Sequence, residues 1–219
     1  MTASEAPFTV VLLHGLARGG RSMARLQGRI EDAGFPTWCA SYPSRHLPLP
    51  DLTAWLRDRL RADLGERPVA AVTHSLGGVL ARHLHPDLDW QRVVMLAPPN
   101  QGSRVAAGLR DWALFRRGWG PAGQAVAAPD DWPPVPPNTA IIAGTAGATL
   151  SNPPSLLVGA LGLLRGVEHD GTVAVDEARV EGADFATVDA SHTWIMNHPR
   201  AVELTLRFLR DGQLEPLDR

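Results

Sequence analysis

The chain has 219 residues, a length that suits one domain with insertions and can bury about 70% of its unfolded surface without staples. With 44% hydrophobic residues, 20% charged residues and a net charge of -2, it offers no electrostatic footing for nucleic acid or an anionic membrane. All 21 basic residues are arginine, so phosphate-loop, Schiff-base, pyridoxal and Ser-Lys chemistry are excluded, and the lone Cys39 excludes an internal disulfide and a four-cysteine zinc site.

The N-terminus shows no basic start leading into an apolar core and a cleavage site. The longest apolar stretch, Leu156 to Leu164, is broken by Gly159 and Gly162 and is too short to span a bilayer. A cytoplasmic protein without an integral membrane segment is the expectation, a trimmed secretion signal being the alternative.

Short apolar runs then alternate with helical patterns. Phe8 to Leu13 is a first strand candidate, and Met23, Leu26 and Ile30 recur at helical spacing up to Gly34. Thr37 to Tyr42 is the second strand. Asp51 is the expected cap of a helix facing inward with Leu52, Trp55, Leu56 and Leu60, closed by Gly65. Val69 to His74, Val93 to Leu96, Thr139 to Gly144 and Phe185 to Val188 complete six strands. Val79, Leu80 and Leu84 mark the helix after the third strand, and Val202, Leu206 and Leu209 mark the last helix. Strands apolar on both faces between amphipathic helices predict an α/β fold, a mostly parallel sheet covered on both sides. Residues 100–138 and 146–168 break the rhythm as insertions that would form a small cap or flap where such a sheet places its ligand crevice. Trp38 and Trp55 are expected in the core. Trp112, Trp119 and Trp132 suit an acyl pocket or the packing of the cap equally well. Cys39 is expected as a small buried residue.

The third strand runs into Thr73-His74-Ser75-Leu76-Gly77-Gly78. A nucleophilic serine needs a sharp strand-to-helix turn that lifts its Oγ clear of the sheet, with small residues around it to relieve the clash. Gly77 and Gly78 fit, whereas Thr73 stands where the G-x-S-x-G pattern has its first glycine. The rival reading is a serine capping an ordinary helix. An acyl-transfer site also needs two backbone N–H groups aimed at the developing oxyanion. The expected donors are Leu76, directly after Ser75, and Leu16, where Gly15 lets the backbone turn after the first strand.

These motifs make the chain resemble the α/β-hydrolase fold, and more narrowly the small bacterial lipases and esterases. The resemblance is carried by His14–Leu16, His74–Gly78, Leu96–Ser103 and Tyr42-Pro43-Ser44, and is thin across 104–138 and 146–166. It implies a minimal sheet of about six strands, lacking the two leading strands of the full fold. It further implies a triad in the order serine, acid, histidine. Of eight histidines only His169, His192 and His198 follow the fifth strand; His192, past the last strand, is the expected base, and His198 reads as a helix cap. His74 is expected to be buried and hydrogen-bonded. The D-G-x-V resemblance of Asp170-Gly171-Thr172-Val173 points to Asp170 as the acid, with Asp176 in reserve and Glu168 behind it. The implied activity is cleavage of carboxylic esters through an acyl-enzyme on Ser75, with no metal or cofactor and with a small-molecule or lipid-like ester as partner. A thioesterase, amidase or acyltransferase on the same triad stays open, as does a binding protein that retains the fold without turnover.

Overall fold

The computed structural model describes residues 7–127, 129, 131–149 and 153–214, so residues 128, 130 and 150–152 of the two insertions lie outside the described residues. Its strands are β1 (Thr9–Leu13), β2 (Thr37–Cys39), β3 (Val69–His74), β4 (Val93–Leu96), β5 (Thr139–Gly144) and β6 (Asp184–Val188). They form one sheet in the order β2-β1-β3-β4-β5-β6, and every neighbouring pair is parallel.

Each parallel step needs a crossover, and the helices supply it. They are α1 (Ala24–Asp32), α2 (Leu49–Leu64), α3 (Leu76–Leu88), α4 (Arg104–Leu109), α5 (Ala113–Ala125), α6 (Pro153–Ala160), α7 (Val175–Ala178) and α8 (Pro199–Asp211). The strand alternation divides the core into two layers. Val11 and Leu13 of β1 pack with Leu52, Leu56 and Leu60 of α2 and with Val79, Leu80 and Leu84 of α3. Val10 and Leu12 face the other way, onto Leu26 and Ile30 of α1 and Phe208 and Leu209 of α8. Both faces of the sheet are therefore covered, which is why its inner strands read as unbroken apolar runs. Among the described residues no helix is long and apolar enough to cross a membrane.

Two local readings are corrected. Asp51 does not cap α2; the helix starts two residues earlier, with Pro48 at the N-cap and Pro50 in the first turn, where a missing N–H costs nothing. Asp51 instead sits inside that first turn, where its charge complements the helix dipole. Trp55 is 37% exposed rather than core, and Trp38 is half-buried with its indole N–H donating to Asp63 at 2.9 Å. The indole deepest in the core is Trp90, whose N–H donates to the Ala81 carbonyl at 2.8 Å.

The chain winds outward from β1 to β2, then returns to the other side of β1 as β3. The strand order reverses between β1 and β3, and the crevice at the carboxyl ends of such strands is where open α/β sheets hold ligands. Leu16 follows β1 and Ser75 follows β3, so both flank that crevice.

Candidate active site

Ser75 occupies the junction of β3 and α3 with φ 53° and ψ -120°, a conformation a non-glycine residue keeps only when its surroundings impose it. The Ser75 N–H donates to the Leu96 carbonyl at 2.9 Å, and the Ser75 carbonyl accepts the Gly78 N–H at 2.9 Å. Gly77 is required by close approach, since a Cβ there would lie 2.4 Å from the Leu13 carbonyl oxygen. Thr73 fits in place of a glycine because its hydroxyl turns aside and donates to the Val94 carbonyl at 3.3 Å. Leu76 is the first residue of α3, so its N–H is one of the amides a helix leaves unpartnered at its start.

The structure brings Ser75, His192 and Asp170 into one chain of hydrogen bonds. The Asp170 carboxylate is 1% exposed, and its Oδ1 accepts the N–H groups of Thr172 at 2.9 Å and Val173 at 2.7 Å. Its Oδ2 faces His192 Nδ1 at 2.7 Å. A carboxylate only accepts, so the imidazole proton sits on Nδ1 and Nε2 is left as an acceptor for the Ser75 hydroxyl, 3.0 Å away. The His192 N–H also donates to the Asp170 carbonyl at 2.9 Å, which ties the two loops together. Gly144, at the end of β5, makes that approach possible: a Cβ there would lie 2.4 Å from the Ala190 carbonyl oxygen and 2.8 Å from Asp170 Cβ.

The reserve candidates are elsewhere. Asp176 is exposed and grips Arg104 through two contacts of 2.6 and 2.7 Å. That ion pair lowers the Asp176 pKa, the Arg104 hydrogen bond being the main cause. His198 sits at the N-cap of α8, and the His169 ring accepts the Gly171 N–H at 2.9 Å.

Supporting residues lie around these three. His74 is fully buried, and its Nε2–H donates to the His192 carbonyl at 2.9 Å, bracing the loop that carries that imidazole. Burial, followed by the charges of His192 and Arg18, holds its pKa well below the usual histidine value. His14 donates from Nδ1 to the Gly15 carbonyl at 2.8 Å and accepts the Tyr42 N–H on Nε2 at 3.2 Å. The Tyr42 hydroxyl donates to the His14 carbonyl, and the two rings stack with centroids 3.7 Å apart. Ser44 Oγ accepts the Ala17 N–H at 3.1 Å, holding Ala17 at φ 57° beside Leu16. The Tyr42-Pro43-Ser44 motif thus shapes the loop after β1. The segment after β4 braces the acid loop: Asn100 donates to the Ala178 carbonyl at 3.0 Å and Gln101 N–H to the Glu177 carbonyl at 2.8 Å. Glu177, 4% exposed, accepts the Arg104 and Ala174 N–H groups at 2.6 and 2.8 Å. Sequence reasoning did not single out Gly144, Asn100 or Glu177; only the glycine closing an apolar strand carried a local signal.

Ser75 and His192 open onto a cavity of about 330 Å³. Its walls are mostly apolar, with Leu109, Phe115, Val126 and Val158 buried and Trp112, Trp119 and Leu157 at 39–49% exposure. Those residues come from α4, α5, α6, the N-cap of α5 (Trp112) and the turn after α5 (Val126). Among the described residues no group of three or more His, Cys, Asp or Glu side chains could hold a metal ion. An activated hydroxyl beside an apolar cavity can attack a carbonyl carbon whose apolar substituent fills that cavity.

No protein-family model matches the chain, and no curated protein does. Solved structures do. A lipase of Bacillus licheniformis in its mature form superposes with a TM-score of 0.75 at 20% identity, over 96% of this chain and 94% of that one. A metagenomic carboxyl esterase gives 0.66 at 20% identity, over 88% and 67%. A thioesterase from the prodiginine biosynthetic pathway in Streptomyces coelicolor gives 0.60 at 16% identity, over 96% of each chain. The chain has the α/β-hydrolase fold.

Proposed function

We propose that this protein is a serine hydrolase that cleaves carboxylic esters through an acyl-enzyme on Ser75. The observation that carries the reading is the Ser75–His192–Asp170 relay, 3.0 and 2.7 Å between successive polar atoms, at the mouth of an apolar cavity. The lipase and esterase neighbours support the choice of substrate class.

In this mechanism His192 Nε2 takes the Ser75 proton as Oγ attacks the ester carbonyl. The carbonyl oxygen becomes an oxyanion, received by the N–H groups of Leu16 and Leu76. Asp170 steadies the imidazolium and fixes its orientation. The tetrahedral intermediate collapses as His192 hands its proton to the leaving alcohol. Water, deprotonated by His192, then attacks the acyl-enzyme, releases the acid and restores Ser75. The insertions act as a cap: α4, α5 and α6 wall the acyl end. At about 330 Å³ the cavity lies near the lower bound of small-molecule sites, which favours short to medium acyl chains.

The test is reaction with a fluorophosphonate probe, followed by hydrolysis of aryl esters from acetate to palmitate. Labelling at Ser75 with a maximum between butyrate and octanoate is the expected result; an unlabelled Ser75 in folded protein overturns the reading. The thioesterase neighbour makes acyl thioesters the second reading, supported if matched thioesters outrun their oxygen esters.

A further inference from the structure

Among the residues lining the mostly apolar cavity, one carries a full charge that nothing in the mechanism uses. Arg18 lines it together with Ser75, His192 and Thr193. The side chain is half-buried, and its Nε is fully buried without a hydrogen-bond partner. One terminal nitrogen donates to the Thr193 carbonyl at 3.4 Å, the outer limit of such a bond. Among the described residues no carboxylate pairs with it. A guanidinium stays charged and presents five donors in a planar fork, so leaving it partly dehydrated and uncompensated is costly. Its field reaches the neighbouring groups: after burial, the Arg18 charge is among the causes that lower the pKa values of His14 and His74. Arg18 also sits on the side of the base, since its contact is the carbonyl of the residue after His192. The leaving group must lie on that side, because His192 returns the proton to it. Leu109, Phe115 and Val158 line the same cavity with apolar surface suited to an acyl chain.

Resting on the proposed function, we infer that Arg18 is an anion-binding specificity residue: the favoured substrates are esters whose alcohol portion carries a phosphate or carboxylate, which the Arg18 fork receives while the acyl chain fills the apolar cavity. A bound anion pairs with the terminal nitrogens of the half-buried side chain and offsets the positive charge beside the base. The competing account is structural, in which Arg18 only ties the loop after β1 to the loop after β6.

The experiment compares three butyryl esters: 1-butyrylglycerol, 1-butyrylglycerol 3-phosphate and 3-(butyryloxy)propanoate. The parent protein should favour at least one anionic ester over the neutral one by about tenfold or more in kcat/KM, mainly through KM. Preference for the phosphate alone identifies phosphate as the ligand; preference for both identifies any compact anion. Arg18→Met, which keeps the apolar stem, should bring the anionic-to-neutral ratio near one, and Arg18→Lys should retain part of it. A ratio near one in the parent, or an Arg18→Met variant that loses all three esters in proportion, overturns the inference. Calorimetric titration of the Ser75→Ala variant with glycerol 3-phosphate and with glycerol reads the same site without turnover; equal or absent binding of both also overturns it. If neutral ester is hydrolysed and Ser75 labels while no anionic preference exists, only this inference falls. If no ester reacts and Ser75 does not label, the proposed function has failed first.

Discussion

Replacing Asp170 by asparagine separates the acid of the relay from its neighbours, and the structure dictates how the new side chain must sit. Two backbone amides, Thr172 N–H at 2.9 Å and Val173 N–H at 2.7 Å, both donate to Oδ1. Only the amide oxygen can accept them, so the new NH₂ must take the Oδ2 position, facing His192 Nδ1. A donor there drives the imidazole proton to Nε2, the atom that has to receive the Ser75 proton. The fold is kept and the tautomer is wrong. A drop in kcat of about 10⁴-fold is expected, equivalent to roughly 5.5 kcal/mol of transition-state stabilisation. Weakening two charge-assisted hydrogen bonds should cost stability only about 1–3 kcal/mol. The counterpart is Asp176→Asn: that carboxylate is exposed and held by Arg104, so its loss should cost at most about 1 kcal/mol and leave kcat alone. Steady-state hydrolysis of p-nitrophenyl butyrate, with thermal melts of both variants, provides the readout. An Asp170→Asn enzyme within tenfold of the parent, or an Asp176→Asn enzyme that loses two orders of magnitude, would refute the reasoning.

Gly77→Ala should destabilise by about 1–3 kcal/mol and depress turnover, because the added Cβ would press on the Leu13 carbonyl 2.4 Å away. Gly28→Ala, in α1 with nothing within 4 Å of the new Cβ, should instead stabilise by about 0.5–1 kcal/mol in urea melts. Leu157→Asp, at a cavity-lining residue 49% exposed, should shift acyl-chain preference with little change in melting temperature, whereas Val158→Asp, at 4% exposure, should cost several kcal/mol; the opposite pattern in paired kinetics and melts would contradict the placement of α6. His14 and His74 have pKa values depressed by burial, so the unfolded chain binds more protons than the folded one once pH drops below about 6.5. Stability should therefore be intact above that value and decline as pH falls from about 6.5 to 5, by up to about 1.4 kcal/mol per pH unit for each histidine. Glu177, whose pKa is raised by burial, works in the opposite direction, adding stability as its carboxylate takes up a proton. Urea denaturation at pH 8, 7, 6 and 5 checks the sign, and a curve rising towards pH 5 would contradict it.

Much of the fold is legible in the sequence because a sheet covered on both faces leaves unbroken apolar runs. Val69–His74, Val93–Leu96 and Thr139–Gly144 keep their predicted bounds. The edge strand β2 is shorter than its apolar run, ending at Cys39, because Tyr42 leaves the sheet to stack on His14. Trp55 misled for a related reason: its spacing in α2 suits the apolar face, yet of the four residues expected inward only Leu52, Leu56 and Leu60 are buried. In the site, Ser75 and His192 are marked by local chemistry, a strained turn and a position after the last strand. Asp170 and Asp176 are six residues apart, one in the loop before α7 and one in its first turn, and choosing between them depends on which carboxylate meets the His192 ring. Arg18 was invisible as a site residue because its distinguishing property is a buried Nε without a hydrogen bond and the lack of a carboxylate partner among the described residues, which only three-dimensional packing reveals.

The central claim is a covalent acyl-enzyme on Ser75. Its most direct test is rapid mixing with excess p-nitrophenyl butyrate, acid quench, and peptide mass mapping of the trapped protein. A burst of nitrophenol equal to the enzyme concentration, with the butyryl group on the peptide carrying Ser75 and no burst in Ser75→Ala, is the predicted result. A butyryl group on another residue, or an unchanged burst in Ser75→Ala, would contradict it.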